Sequence, residues 1–331
     1  MEPLISVVLP VYNAGNYLKE AIASILKQNY LNYEFIIIND GSTDNSEEVI
    51  LSFNDNRIKY VYQENKGLGG TLNVGLSLCV GKYIARQDQD DISYPDRFKK
   101  QVEFLEKNPK IALLGTHAKI VTENATKISY HRHAASPANL KFDLLFDNPF
   151  VHSSVMFRKS AIEANGFYNE DRNLYEDYDL WSRLSYSNEV ANLSEVLVEY
   201  RHHDKGLSKN FTNFKEYALY NQGIKNIEKL LGTKDDALLD LVALYHWKEE
   251  MYKGTSVKKL TEALALISEK IIETYPGERK LVEERKKQYV KIMLYRLNIL
   301  SRRRNKSNPL KMLLLKLQNK LLGLHPFVIN K

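Results

Sequence analysis

Cysteine is almost absent from this chain of 331 residues, and the single Cys79 rules out an internal disulfide. Its setting among Leu76, Leu78 and Val80 makes it a filler of the core. Long apolar runs are missing as well. No stretch approaches the ~20 residues that a membrane-spanning helix needs. Uncharged stretches such as Gly67 to Gly81 are short and broken by Gly or polar residues, so the expectation is a protein that is not integral to a membrane. The Met-Glu-Pro start lacks the basic opening of a secretion signal, which makes the apolar run from Leu4 to Leu9 a first strand and the cytoplasm the expected compartment. No G-x-G-x-x-G follows that strand, which disfavours a dehydrogenase. No His/Cys spacing matches a structural zinc site. Internal repeats and low-complexity tracts are absent too.

Charge is present, and it is unevenly distributed. The chain carries a net +6, yet residues 277–331 hold fifteen Lys/Arg against three Glu, and the remainder thirty-two against thirty-eight acids. A basic tail on an acidic body predicts that the tail meets something anionic, a lipid surface or a nucleic acid.

Up to Gly115 short apolar runs alternate with helical periodicity, the pattern of a parallel sheet covered on both faces in an α/β fold. Strands are expected at Ile5 to Pro10, Phe35 to Asn39, Ile58 to Tyr62, Tyr83 to Arg86 and Ile111 to Gly115. Leu18, Ile22, Ile25 and Leu26 fall on one helical face, and Phe98, Val102 and Leu105 do so again after Pro95. Ser153 to Phe157 reads as a further strand, Glu176 to Ser185 as a helix and Val196 to Arg201 as a last strand, closing a domain at residues 1–208. From 209 to 331 the signals are helical: Phe211 to Leu231, Asp235 to Tyr252, Val257 to Tyr275 and Glu278 to Leu300. Breaks at Gly232, Gly254 and Pro276-Gly277 separate them. The Leu-rich segment Pro309 to Leu322, with Lys311, Lys316 and Lys320 around it, reads equally as an interfacial helix or as one packed against protein.

In open α/β sheets ligands bind outside the carboxyl ends of the strands. The first strand ends in Pro10-Val11-Tyr12-Asn13, a rigid turn with an aromatic face suited to a planar base. The second ends in Asn39-Asp40-Gly41-Ser42, where a carboxylate can accept from a base or a ribose, or can cap the helix beginning near Ser46. The fourth ends in Asp88, Asp90 and Asp91. Carboxylates so close raise one another's pKa unless a cation lies among them, and such hard oxygen donors suit Mg2+ or Mn2+ bridging a diphosphate. Arg86, just inside, either faces phosphates or pairs with these acids. Glu176 and Asp177 open a helix ahead of Leu180, Trp181 and Leu184. The helix dipole favours acids there, and a carboxylate at such a place also serves as a general base. His152 and the His202-His203 pair have structural and functional readings alike.

Taken in order, Pro10-Val-Tyr-Asn, Asn39-Asp-Gly-Ser-Thr-Asp, Asn65-Lys-Gly-Leu, Asp88-Gln-Asp-Asp, Glu176-Asp and Tyr200-Arg-His-His resemble the inverting nucleotide-sugar glycosyltransferases of family 2. The type is that of bacterial cell-surface polysaccharide synthesis, and the resemblance covers residues 4 to 208. It implies the GT-A fold. It also implies that Pro10 and Tyr12 line the base pocket, that Asp40 hydrogen-bonds the base, most often uracil, and that Gly67 lies on the donor side. Asp88-Gln89-Asp90 matches the DxD motif, with Asp90 a direct ligand of Mn2+ or Mg2+ and Asp88 on ribose or metal-bound groups. Asp177 matches the base that deprotonates the acceptor hydroxyl. Arg201 and His203 fall on the Tyr-Arg-x-His pattern, with Ser208 on its later Ser, so that His203 closes over the diphosphate or the metal. Glu176, His152 and Trp181 then belong to the acceptor side. The chain departs from the pattern at Asn39, where an acid is usual, and at Leu72, where many members carry Arg; Arg86 or Lys66 is the substitute phosphate contact.

The expected partners are a nucleotide-sugar donor, a UDP-sugar first, and a glycan acceptor, lipid-linked if the basic tail rests on the inner face of the cell membrane. The sequence leaves self-association open. A nucleic-acid reading of the tail has no motif and no interleaved aromatics behind it, so no nucleic acid is expected. A sugar-nucleotide pyrophosphorylase lacks its Gly-rich N-terminal loop here, and a glycosidase would not need acids at strand ends beside a metal triad.

Overall fold

The computed structural model describes residues 2–122, 128–171, 175–203 and 213–304. Strands β1 (Ile5–Val11), β2 (Tyr33–Asp40), β3 (Ile58–Gln63) and β4 (Tyr83–Arg86) lie parallel in the order β3-β2-β1-β4. β1 and β2 are buried along their whole length, as strands of a sheet covered on both faces must be. The crossovers are helices α1 (Leu18–Leu26), α2 (Ser46–Leu51) and α3 (Gly67–Leu78). Close contact of α3 with the sheet depends on Gly75, where a Cβ would come within 2.5 Å of Val8 Cγ1 and 2.9 Å of Ile38 Cδ1. Cys79 ends this helix buried in the core, where its thiol donates to the Gly75 carbonyl.

Further along come β5 (Ile92–Ser93), α4 (Arg97–Lys107), β6 (Ile111–Thr122), β7 (Ser129–His131), α5 (Pro137–Asp143), β8 (Met156–Arg158), α6 (Lys159–Asn165), α7 (Glu176–Ser187) and β9 (Glu189–His202). They extend the sheet beyond β4 in the order β8-β6-β9-β5, with β7 on β6. β8 runs antiparallel to both β4 and β6, whereas β9 runs parallel to β6. The result is the α/β, mostly parallel architecture expected.

Two strands differ from the sequence expectation in extent. β6 and β9 pair from Ile111 and Glu189 to Thr122 and His202, and only the early part of β6 is fully buried, so its half-exposed outer part carries no apolar run to betray it. The expected strand from Ser153 begins instead as a turn of 3-10 helix over His152–Ser154, because both serines are drawn into side-chain hydrogen bonds; the strand starts at Met156.

The chain divides into two compact units, one of residues 1–140 and 148–215, the other of residues 141–147 and 216–331. The second is built from α8 (Asn213–Leu231), α9 (Asp236–Tyr245), α10 (Val257–Thr274) and α11 (Arg279–Arg304). α9 stops at Tyr245, short of the expected Tyr252, and Trp247 just beyond takes a left-handed φ of 56° that no helix continues. Leu260, Leu264, Ile267, Ile271 and Val282 form its apolar interior. Within it the Asp143 carboxylate accepts from Arg285 Nε at 2.6 Å and from the Tyr289 hydroxyl at 3.1 Å. Among the described residues no helix is long and apolar enough to cross a membrane. Ser208 and the segment Pro309 to Leu322 lie outside the described residues.

Candidate active site

The parallel half of the sheet delivers its strand ends to one edge, and side-chain hydrogen bonds tie those ends together. Past β1, Asn13 with φ 47° starts a run of backbone amides that are met by the β2–α2 turn. Asn13 N–H donates to Ser42 Oγ, Ala14 N–H to Ser46 Oγ and Gly15 N–H to Asp44 Oδ2, at 3.0 to 3.1 Å. The polar run from Ser42 to Ser46 therefore latches two loops. Asp40 has a related task. Its Oδ1 accepts from Lys66 N–H at 2.8 Å and from Gln63 Nε2 at 2.6 Å, and its Oδ2 accepts from Gly67 N–H at 3.1 Å. The helix it caps is α3, while the expected cap on α2 is made by Asp44, whose Oδ1 accepts from Ser46 N–H at 3.0 Å. Gly67, with φ 74°, makes the turn into that helix.

Tyr12 is half exposed, and its backbone is held from across the site. Gln89 Oε1 accepts from Tyr12 N–H at 2.8 Å while Gln89 Nε2 donates to Tyr12 O at 3.2 Å, so one amide side chain copies a strand pairing between the ends of β1 and β4. Nothing in the sequence singles out Gln89, the variable middle of its motif.

The acids after β4 have distinct surroundings. Arg86 is 1% exposed and pairs with Asp88 Oδ1 at 2.5 Å, the pairing with the acids that its position allowed. The other Asp88 oxygen lies 2.5 Å from the Ser153 hydroxyl, so this carboxylate, expected to share the metal, has both oxygens engaged. Burial works to raise its pKa, but Arg86 and the Ser153 hydroxyl outweigh it and hold Asp88 below the usual range. Asp91, 1% exposed, accepts from Arg201 N–H at 2.8 Å and reaches the same Ser153 hydroxyl with its second oxygen. That hydroxyl has one proton for two carboxyls, so one of them must bring its own. Asp91 is that one, because burial and the charges of Asp88 and Asp90 push it well above the carboxylate range.

Beneath the acids lies Arg97, fully buried, which donates to Ser93 Oγ (2.7 Å), Arg86 O (2.9 Å), Val155 O (3.0 Å) and Gln101 Oε1 (3.1 Å). Burial lowers it to about 9, so it stays charged at neutral pH and offsets the cluster above it. The sequence held a sign of this: Arg97 and Gln101 occupy the same helical stripe as Phe98, Val102 and Leu105, where polar residues are out of place.

Asp90 and His203 come together, with Oδ2 and Nε2 2.8 Å apart. Burial and Asp88 raise Asp90, and His203 opposes them. The His203 ring lies 4.6 Å from that of Tyr17, over which Arg201 also sits at 5.2 Å. Arg201 pairs with Glu20, yet its Nη1 is buried with no hydrogen-bond partner among the described residues. A carboxylate beside an imidazole suits a divalent cation, and an orphaned guanidinium N–H beside them suits an anion. Among the described residues no group of three or more His, Cys, Asp or Glu is arranged to hold a metal. Asp90 and His203 are the two donors that the described residues bring together there.

Across from these acids, Asp177 opens α7 half-buried, its Oδ2 accepting from Asn148 Nδ2 at 2.7 Å. Glu176 beside it is buried. Trp181, one turn on, is fully buried against the rings of Phe150, His152, Phe157 and Tyr168 at 5.8 to 6.4 Å. It underlies the site and is closed to an acceptor. His152, half-buried on this floor, shares a 3.0 Å hydrogen bond with the Tyr168 hydroxyl. Burial, then Arg86, pushes His152 down to about 3, so the ring is neutral. Tyr168, Asn148, Ser153 and Arg97 belong to the constellation and were not singled out in the sequence.

Residues 6–166 match the model of glycosyl transferase family 2. An uncharacterized glycosyltransferase of Rickettsia typhi is 31% identical over 289 residues, 82% of this chain and 86% of that protein. The Escherichia coli O-antigen biosynthesis glycosyltransferase WbnJ is 34% identical over 227 residues, 66% and 87% of the two chains. Among solved structures, residues 1–349 of Staphylococcus aureus TarS in complex with UDP-GlcNAc superimpose with a TM-score of 0.62 at 16% identity, covering 92% of this chain and 93% of that one.

Proposed function

Because the chain belongs to glycosyl transferase family 2, we propose that it moves a sugar, with inversion, from a UDP-sugar to a hydroxyl of a glycan acceptor in surface polysaccharide synthesis. The observation that carries the reading is the convergence of the β1, β4 and β9 ends: Gln89 on Tyr12, Asp90 on His203, and Arg201 bound through its backbone to Asp91. The UDP-GlcNAc bound by TarS and the O-antigen role of WbnJ support the donor class and the product class.

In this reading the half-exposed Tyr12 ring stacks on the uracil, and Asp40, already fixed by the α3 amides, offers its remaining acceptor capacity to the base. The unpaired Arg201 Nη1 meets the diphosphate. Asp90 and His203 would hold Mn2+ or Mg2+, with other positions left to diphosphate and water; the bound ion supplies charge neutralisation for the leaving nucleotide. Asp177, oriented by Asn148, takes the proton of the acceptor hydroxyl as its oxygen attacks the anomeric carbon and the bond to UDP breaks. Asp88 is pinned between Arg86 and Ser153 and fixes the loop that carries Asp90.

The test is a thermal-shift series with UDP, GDP, CDP and dTDP, each with Mn2+ and with EDTA. UDP with Mn2+ should raise the melting point, since a ligand at 100 times its Kd stabilises by about 2.7 kcal/mol. If no nucleotide shifts the melt under either condition, the donor-site reading fails.

A further inference from the structure

His152 and Tyr168 form a polar pair that no step above uses. Three contacts fix its place. The 3-10 turn bearing His152 is keyed to the β4 end by its next residue, Ser153, whose Oγ lies 2.5 Å from Asp88 and also accepts from Asp88 N–H at 3.1 Å. Tyr168 is pinned by Asn73 of α3, whose amide donates to Tyr168 O and accepts from Tyr168 N–H, both at 2.9 Å. Both rings rest on Trp181, one helical turn after Asp177. The charges of Arg86, Asp177, Glu176 and Asp88 all bear on the buried Tyr168 hydroxyl. The pair is thus tied through Ser153 to the carboxylate that holds the donor loop, and through Trp181 to the helix of the proposed base.

The protonation pattern follows from the partners. Tyr168 is 4% exposed and His152 is its only side-chain hydrogen-bond partner among the described residues, so its O–H donates to Nε2. The neutral imidazole then carries its proton on Nδ1, which makes no hydrogen bond to any described residue. That leaves one fixed, uncharged N–H donor on a half-buried residue. In an in-line transfer the moving sugar lies between the diphosphate and the base. We propose that His152 Nδ1–H binds a hydroxyl or other acceptor oxygen of the transferred sugar, with Tyr168 as the positioning residue that sets its tautomer, so that this pair selects the donor sugar. The inference rests on the donor-site reading above and names the part of the donor it leaves open.

The experiment compares the affinity for UDP with that for UDP-glucose, UDP-galactose and UDP-GlcNAc, in Mn2+, for wild type, Tyr168→Phe and His152→Phe. UDP contains no sugar beyond its ribose, so its affinity reports the rest of the donor site and the fold. Both variants should bind UDP as wild type does and lose roughly tenfold in affinity for the UDP-sugar that wild type binds best, the value of one good hydrogen bond. Discrimination among the three sugars should shrink in parallel. An unchanged ratio of UDP-sugar to UDP affinity in both variants overturns the proposal. Equal loss for UDP and UDP-sugar overturns it too, since the pair would then be structural. Failure of wild type to bind UDP at all sinks the donor-site reading, and this proposal with it.

Discussion

At the scale of single residues the site separates groups that react from groups that hold. In the proposed mechanism Asp177 is the base, a half-buried carboxylate that Asn148 orients at 2.7 Å. Asp177→Asn should abolish sugar transfer in an assay of UDP release with acceptor, while UDP affinity by calorimetry stays near wild type. A matching loss of UDP affinity would move Asp177 out of the base role. Gln89 is a holding residue. Replacing it by Ala removes two hydrogen bonds to the Tyr12 backbone, each worth about 0.5–1.5 kcal/mol net. The expected outcome is a rise in donor KM of about tenfold with kcat at saturating donor little changed, because the loop, not the reacting atoms, is loosened. A fall in kcat alone would place Gln89 with the chemistry.

At the scale of elements, buried acids are spent on joining strands and helices. Glu34 of β2 is an example at the end of the sheet away from the site. It accepts from Ser6 Oγ and Lys59 Nζ, each at 2.5 Å, and from Val80 N–H at 2.9 Å, linking β1, β2, β3 and the close of α3. Burial raises its pKa, but these bonds prevail and hold it below the ordinary 4.5. The folded state therefore resists protonation that the unfolded chain accepts, so the stabilisation is complete above about pH 5 and drains away as pH falls through the lowered pKa. Melting curves between pH 7 and pH 3 should fall less steeply for Glu34→Gln than for wild type. Parallel curves would show that other carboxyls govern acid unfolding. Asp40 follows the same logic nearer the site: an acid placed after β2 caps α3, and the proposed contact with a base would be built on that cap.

At the scale of the whole molecule the charge split between body and tail asks for an anionic partner, and the structure trims the count. Arg285 is paired with Asp143, and Arg296 is 6% exposed, donating to Leu244 O at 2.8 Å, so neither is free for a surface. The remaining basic residues of 277–331 still outnumber its three acids. Each Lys or Arg near an anionic membrane contributes about 1 kcal/mol. We expect the full chain to float with vesicles containing phosphatidylglycerol at low salt, to leave them at 0.5 M NaCl, and to ignore neutral vesicles. Absence from the anionic fraction at low salt would discard membrane association.

The parallel strands, the helical second half and the acids at strand ends were legible because each has a local cause: apolar runs for buried strands, period 3.6 for helix faces, and turn residues at fixed places after each strand. The outer half of β6 was not, because half-exposed pairing leaves no apolar signal, and of β9 only the later part was read, since the expected strand began at Val196 and the observed one begins at Glu189. The sequence by itself determined the fold class, the family and the order of its motifs. Which oxygen of which acid is free was decided by tertiary structure alone. Asp88 is held through both oxygens by Arg86 and Ser153, Asp40 is anchored by the α3 amides, and Trp181 is taken by the core, while His152 is left with an open nitrogen. Arg86 lies only two residues from Asp88, but Ser153 lies 65 away, and Gln63, Lys66 and Gly67 lie 23 to 27 from Asp40. Hydrogen bonds across such separations have no period to read; they exist only once the sheet has brought its strand ends together.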